Sequence, residues 1–178
     1  MYEQILSFWF HQIDPKRWWR VDPAFDAWLQ ERYGAWLERA RQGELFVWRR
    51  TARGRLAEII VLDQFSRNIH RHQAQAFAQD GMALALAQEA VAAGVLERLQ
   101  GQERDFLLMP YMHSESQAIH QEAERLFKAF ATPSSYRFEL RHKAIIDRFG
   151  RYPHRNQVLG RPSTEQELAF LQEPGSSF

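Results

Sequence analysis

The sequence predicts an all-α fold, six to eight helices packed as antiparallel hairpins, and three observations carry that prediction. Apolar residues recur at helical spacing almost throughout, and no stretch alternates as a half-buried strand does. Proline or glycine marks the ends of most of the periodic stretches. The connections are short, so consecutive helices become antiparallel neighbours. A chain of 178 residues with no linker-like composition is the size of one domain, spanning 1–178. Hydrophobic residues make up 45%, with 13 Phe and 6 Trp, which is ample for a core.

In chain order, Tyr2 to Ile13 reads as a short aromatic helix stopping before Asp14-Pro15. Asp22 is an N-cap with Pro23 at the first helical position, where a missing N–H costs nothing. Phe25, Trp28, Leu29, Tyr33, Trp36, Leu37 and Ala40 then form one apolar face, with the Trp rings expected in the core, until Gly43. Further helices are expected over Arg55–His70 and Ala74–Ala93, the glycine of Arg53-Gly54-Arg55 marking a helix-start turn. Glu103 to Met109 precedes Pro110, which interrupts or kinks the helix. Ser114 with Gln117 has capping-box spacing, predicting a helix from Glu115 to Ala131. Ser135 to Phe149 follows Thr132-Pro133 and stops at Gly150; Arg151 to Pro162 lacks a period; and Thr164 with Glu167 caps a last helix to Leu171.

Composition also excludes. The net charge of +1 offers no global field for nucleic acid or membrane. Without cysteine there is no disulfide, thiolate nucleophile or Cys-based metal site. The N-terminus lacks the pattern of an export signal and no apolar tract approaches the ~20 residues of a membrane span, so a cytoplasmic protein is expected. No His-x-x-x-His pair, Gly-x-Ser-x-Gly elbow or phosphate-cradling glycine loop occurs, so neither metal nor cofactor is expected.

Three segments resist a purely structural explanation. The helix around Asp63 is apolar over most of its circumference, yet carries Asp63 four residues from Arg67 and Gln64 four from Asn68. Buried charges need partners, so these residues form either a structural ion pair or the wall of a site. In Met109-Pro110-Tyr111-Met112-His113-Ser114-Glu115, capping accounts for Ser114 and Glu115 but leaves His113 unexplained. From Arg137 to Arg161, seven basic residues face Glu139 and Asp147, leaving +5, with His142 and His154 besides. Arginine forks there suit phosphate or carboxylate, although solvated or paired arginines would serve as well.

The segments Leu62–Ile69, Ala76–Asp80, Met109–Glu115, Arg148–Asn156 and Leu159–Arg161 together resemble the bacterial domain-of-unknown-function 924 family. Ile5–Phe10 and Ser163-Thr164 with Glu167 extend the resemblance nearly end to end. It implies an all-α, tetratricopeptide-like array without implying an activity. The chain departs from the family pattern at Ser66, where Pro is usual, and at His70 and His72, where an aromatic residue and Gly are usual.

The reading that follows is a binding module whose pocket takes a small anionic ligand, phosphate- or carboxylate-bearing, or a peptide. Its expected polar wall comprises Asp63, Arg67, Asn68, His113, Glu115, His142, Arg148, Arg151, His154, Arg155 and Asn156. Two alternatives stand beside it. One is a His/Arg-based hydrolase or transferase acting on an anionic substrate, with His113 or His154 as base, oriented by Asp63 or Glu115. The other is RNA binding through the basic C-terminal segment, for which Tyr152 and Phe149 are the available stacking rings. The pocket readings depend on whether the separated segments meet in space, and the RNA reading on a strong fall of affinity with salt.

Overall fold

The computed structural model describes residues 1–177. Its α-helical stretches are α1 (Tyr2–Ser7), α2 (Pro23–Arg41), α3 (Ala52–Ile60), α4 (Ser66–Ile69), α5 (Asp80–Ala92), α6 (Gln102–Met112), α7 (Gln117–Phe130), α8 (Pro133–Phe149) and α9 (Glu165–Phe170). No strand occurs among the described residues, and none of their helices is long and apolar enough to cross a membrane.

Local rules place most boundaries. Asp22 accepts from the Phe25 N–H with Pro23 at the first position, and Thr132 accepts from Ser135 with Pro133 likewise. The capping box of α9 is complete, with Thr164 and Glu167 satisfying each other's backbone N–H. Gly150 ends α8 in the left-handed conformation at φ 69°.

Four expectations need correction. Ser114 does not cap α7; Ser116 occupies that position, and the Ser114 hydroxyl accepts from the Ser116 N–H. The helix expected over Ala74–Ala93 is split, a 3₁₀ turn at Ala74–Phe77 preceding α5. Trp28 is 44% exposed and Trp36 only partly buried, because Phe25, Leu29, Leu37 and Ala40 already fill the inward stripe of α2. Gly54 lies within α3, which Thr51 caps by accepting from the Gly54 N–H. A Cβ on Gly54 would stand 2.0 Å from the Trp48 carbonyl oxygen, so this residue lets the preceding turn close onto the helix.

The core is built around α3, whose Leu56, Ala57, Ile59 and Ile60 are wholly buried beside the aromatic cluster of Trp9, Trp18, Phe65 and Phe106. Even Glu58 is inside, held by a two-pronged bond to Arg49 at 2.8 and 2.7 Å. Such pairing is what a buried carboxylate requires. Past Ile60 the helix widens into a π turn, Val61–Phe65, before resuming as α4, so α3 and α4 form one continuous rod. Helices α5, α6, α7 and α8 then pack each on the next, α7 and α8 making the most extensive contact. A smaller cluster of Ile145, Ile146, Tyr152 and Phe170 secures the C-terminal segment to α8.

His72 is the single non-glycine residue at positive φ, 63°, among the described residues. The left-handed conformation costs a side-chain-bearing residue about 1 kcal/mol or more. His72→Gly is therefore expected to raise the melting temperature by a few degrees. Gly54→Ala is expected to lower stability by about 1–3 kcal/mol, as forced overpacking does. Thermal denaturation followed by circular dichroism measures both.

Candidate functional site

The π turn puts Asp63 at the centre of a polar cluster inside a rod whose other buried residues are mostly apolar. Its side chain is 1% exposed and receives three partners: Arg67 Nη1 at 3.0 Å, Gln64 Nε2 at 2.6 Å and His113 Nδ1 at 2.7 Å. Burial pushes the Asp63 carboxyl up, but Arg67 and His113 more than offset this and hold it well below the usual carboxylate range. The cluster is thus a buried carboxylate anion with each neighbour donating to it.

Arg67 extends the network. Its fork grips Asp80 at 2.8 and 2.9 Å, tying the rod to the first turn of α5. Asp80 also receives Arg155 Nη1 at 3.3 Å from the C-terminal segment. Further along, Glu115 takes both Arg161 nitrogens, at 2.6 and 2.9 Å, and the Tyr152 N–H at 2.7 Å. Burial raises the Glu115 carboxyl, whereas the Arg161 and Tyr152 bonds bring it below its ordinary value. Three segments that are remote in sequence therefore converge on one network.

A pocket of about 360 Å³ opens on it. Asp80, His113, Ser114, Glu115 and Arg155 supply its polar lining, while Phe77, Leu84, Pro110 and Leu159 contribute apolar walls. His113 presents itself here because α6 continues past Pro110 and ends at Met112. Burial and the Arg67 charge push the His113 imidazole below its ordinary value, against the upward pull of Asp63. With Asp63 ionised, Nδ1 carries the proton and donates it to that carboxylate. Nε2 is left as an acceptor with no bond to the described residues.

Arg155 is held differently from Arg67 and Arg161. Its guanidinium lies 4.6 Å from the Phe77 ring centroid and 4.5 Å from that of Tyr152. The 3.3 Å bond to Asp80 is long, and Nε is buried without a hydrogen-bond partner. Burial and then the neighbouring Arg67 charge lower its affinity for its proton. It is the least compensated cation on the pocket.

Of the residues expected to form the polar wall, Asp63, Arg67, His113, Glu115 and Arg155 are brought together. Asn68 is elsewhere; with Arg71 it binds Asp26 at the start of α2. Arg148 lies over the Phe149 and Phe170 rings, and Arg151 grips Glu167, holding that carboxyl down to about 2. Asn156 supports Arg161 at 3.0 Å from behind. His142 and His154 flank the Tyr152 ring at 5.7 and 5.6 Å, outside the pocket lining. The basic C-terminal segment is largely consumed by such pairs, Lys143 binding Asp147 as well. Asp80, Phe77 and Arg161 are among the residues that the sequence did not point to as part of the site. Asp80 lies 13 positions from Arg67, beyond any helical spacing, and only the resembling segment Ala76–Asp80 pointed to it.

Behind the pocket sits a buried pair that the sequence did not announce. His120 Nδ1 is 2.7 Å from Glu139, and its Nε2 is 2.9 Å from the Ser114 carbonyl oxygen. Both side chains are wholly buried, and burial raises the Glu139 carboxyl. The pair fixes the turn that carries His113. No group of three or more His, Cys, Asp or Glu residues among those described is arranged to hold a metal ion.

The chain belongs to the family described as bacterial protein of unknown function (DUF924), which it matches over residues 5–175. Among solved structures it is similar to a protein of unknown function from Agrobacterium tumefaciens, with 33% identity over 97% of each chain and a TM-score of 0.91. No curated protein matches it in sequence.

The buried imidazoles predict a pH dependence of stability. His113 is lowered, His142 is lowered to about 3 and His154 to about 4, each chiefly by burial. Unfolded, each titrates near 6.5, so the unfolded chain binds more protons below that pH. Their stabilising contribution is full above pH 6.5 and falls away as pH drops toward 4 and 3. Melting temperature is expected to change little from pH 7.5 to 6.5 and to decline from there to pH 4.5, and to decline less in His142→Gln.

Proposed function

We propose that the pocket binds a small monocarboxylate or a similar singly charged anion, with Arg155 as the anchoring cation. The observation that carries the reading is the state of Arg155: clamped between Phe77 and Tyr152, it lines the pocket with one long bond and an unpartnered Nε. A guanidinium removed from water and poorly paired gains most from an arriving carboxylate, which it can take with charge-assisted bonds.

Charge and shape narrow the ligand. Arg67, Arg155 and Arg161 face Asp63, Asp80 and Glu115, so formal charge at the site balances while His113 is neutral. That balance favours a single negative charge over a polyphosphate. The volume suits a small molecule, and Phe77, Leu84, Pro110 and Leu159 suit a hydrocarbon portion. His113 Nε2 adds an acceptor for a hydroxyl or amine on the ligand. RNA binding finds less support, because Arg151, Arg155 and Arg161 are turned inward onto Glu167, Asp80 and Glu115.

Calorimetric titration with acetate, butyrate, benzoate and inorganic phosphate tests the reading. Binding of at least one carboxylate is expected, weakened about 10- to 100-fold by Arg155→Met, the range for losing a charged hydrogen bond. Unchanged carboxylate affinity in the folded variant overturns it.

A further inference from the structure

We propose that the site also catalyses the hydrolysis of small carboxylic esters, His113 acting as general base on water and Asp63 positioning it. This rests on the carboxylate-binding reading of the same pocket. The geometry supplies the parts. Asp63 fixes the His113 ring through Nδ1 at 2.7 Å, and Arg67 and Gln64 in turn fix Asp63. That leaves Nε2 as the basic nitrogen of an imidazole lining a pocket, the arrangement general-base catalysis needs. A structural role alone would be served by a histidine bonded through both nitrogens, as His120 is between Glu139 and the Ser114 carbonyl. His113 is bonded through one.

The same pocket holds one under-compensated cation, Arg155. A neutral ester suits this charge count, because negative charge appears on its carbonyl oxygen only as the reaction proceeds. Nε2 takes a proton from water while the water oxygen bonds to the carbonyl carbon, and the carbonyl electron pair moves onto oxygen beside Arg155. Collapse of that oxyanion reforms the carbonyl and breaks the bond to the alcohol oxygen, which receives the proton from Nε2. Ester and water give acid and alcohol, and the acid ionises to the carboxylate that Arg155 binds. One contact thus serves the transition state and the product. The apolar walls around Phe77, Leu84 and Leu159 take the acyl chain.

The groups around His113 set the expected pH profile. Asp63 and Arg67 on the rod and Asp80 on α5 act on it directly, Glu115 and Arg155 share its pocket, and His142 on α8 and His154 in the C-terminal segment interact with it. The acid limb should fall below pH 6.5, with a flat rate above.

The test is turnover of 4-nitrophenyl acetate, butyrate and hexanoate by the full chain, corrected for the uncatalysed rate. Saturable hydrolysis is expected, lost about 10²- to 10⁴-fold in His113→Gln of unchanged circular dichroism. In Asp63→Asn the acid limb should move to lower pH and the plateau should fall, a displacement that mere structural support would not produce. If Asp63→Asn fails to fold, His113→Gln decides alone. Equal rates in wild type and His113→Gln, or no turnover of any of the three esters, overturn the proposal. Calorimetric binding of butyrate distinguishes the two failures. Binding without turnover removes only the catalytic inference, and absence of both removes the carboxylate reading beneath it.

Discussion

A carboxylate anion buried at the centre of an apolar helix is the constraint around which this protein is arranged. Asp63 has almost no water contact, and an uncompensated charge there would cost several kcal/mol. Arg67, Gln64 and His113 compensate it, and each is thereby committed to one geometry. Arg67 then needs Asp80, which fixes the start of α5, and Asp80 receives Arg155 from the C-terminal segment. The need to pair one buried charge propagates outward until it reaches solvent at the pocket.

The π turn at Val61–Phe65 belongs to the same logic. Such turns are rare and concentrate at functional sites, since they misalign the backbone ladder locally. Here Arg67 Nη1 bonds both the Asp63 carboxylate and the Asp63 main-chain carbonyl, each at 3.0 Å. The side chain that completes the ion pair also serves the widened turn. Burial of Glu58 against Arg49 one turn before the π segment, and of His120 against Glu139 behind it, repeats the principle. This core tolerates ionisable groups wherever a partner of the right chemistry is built beside them.

Two kinds of arginine result. Arg67, Arg151 and Arg161 are bidentate partners of Asp80, Glu167 and Glu115 and act as struts between segments. Arg155 is held by ring faces and only loosely by charge. Aromatic faces stabilise a guanidinium without occupying its hydrogen-bond donors, so the residue is rigid yet still able to bind. That contrast, rather than the number of basic residues, is what the proposed anion site rests on.

The sequence by itself determined most of the helices, because caps, breakers and the apolar period are local. Asp22-Pro23, Thr132-Pro133, Gly150 and the Thr164–Glu167 box each act within a few residues and appear where the pattern requires. It also singled out Asp63, Arg67 and His113 as polar residues in apolar surroundings. Tertiary structure decided the rest, because partners of a buried charge are chosen by packing and carry no sequence period. Nothing local distinguishes Arg155, which lines the pocket, from Arg148, which covers Phe149. Nothing local identifies Asp80 as the acid between two arginines, or tells that Asn68 faces Asp26 instead of the pocket. Ser114 had the spacing of a cap, yet Ser116 takes the N-cap position without a side-chain cap bond, and the turn holding His113 is fixed by His120 from the next helix. Local chemistry drew the rods; the site exists only where the packed helices bring the separated charges together.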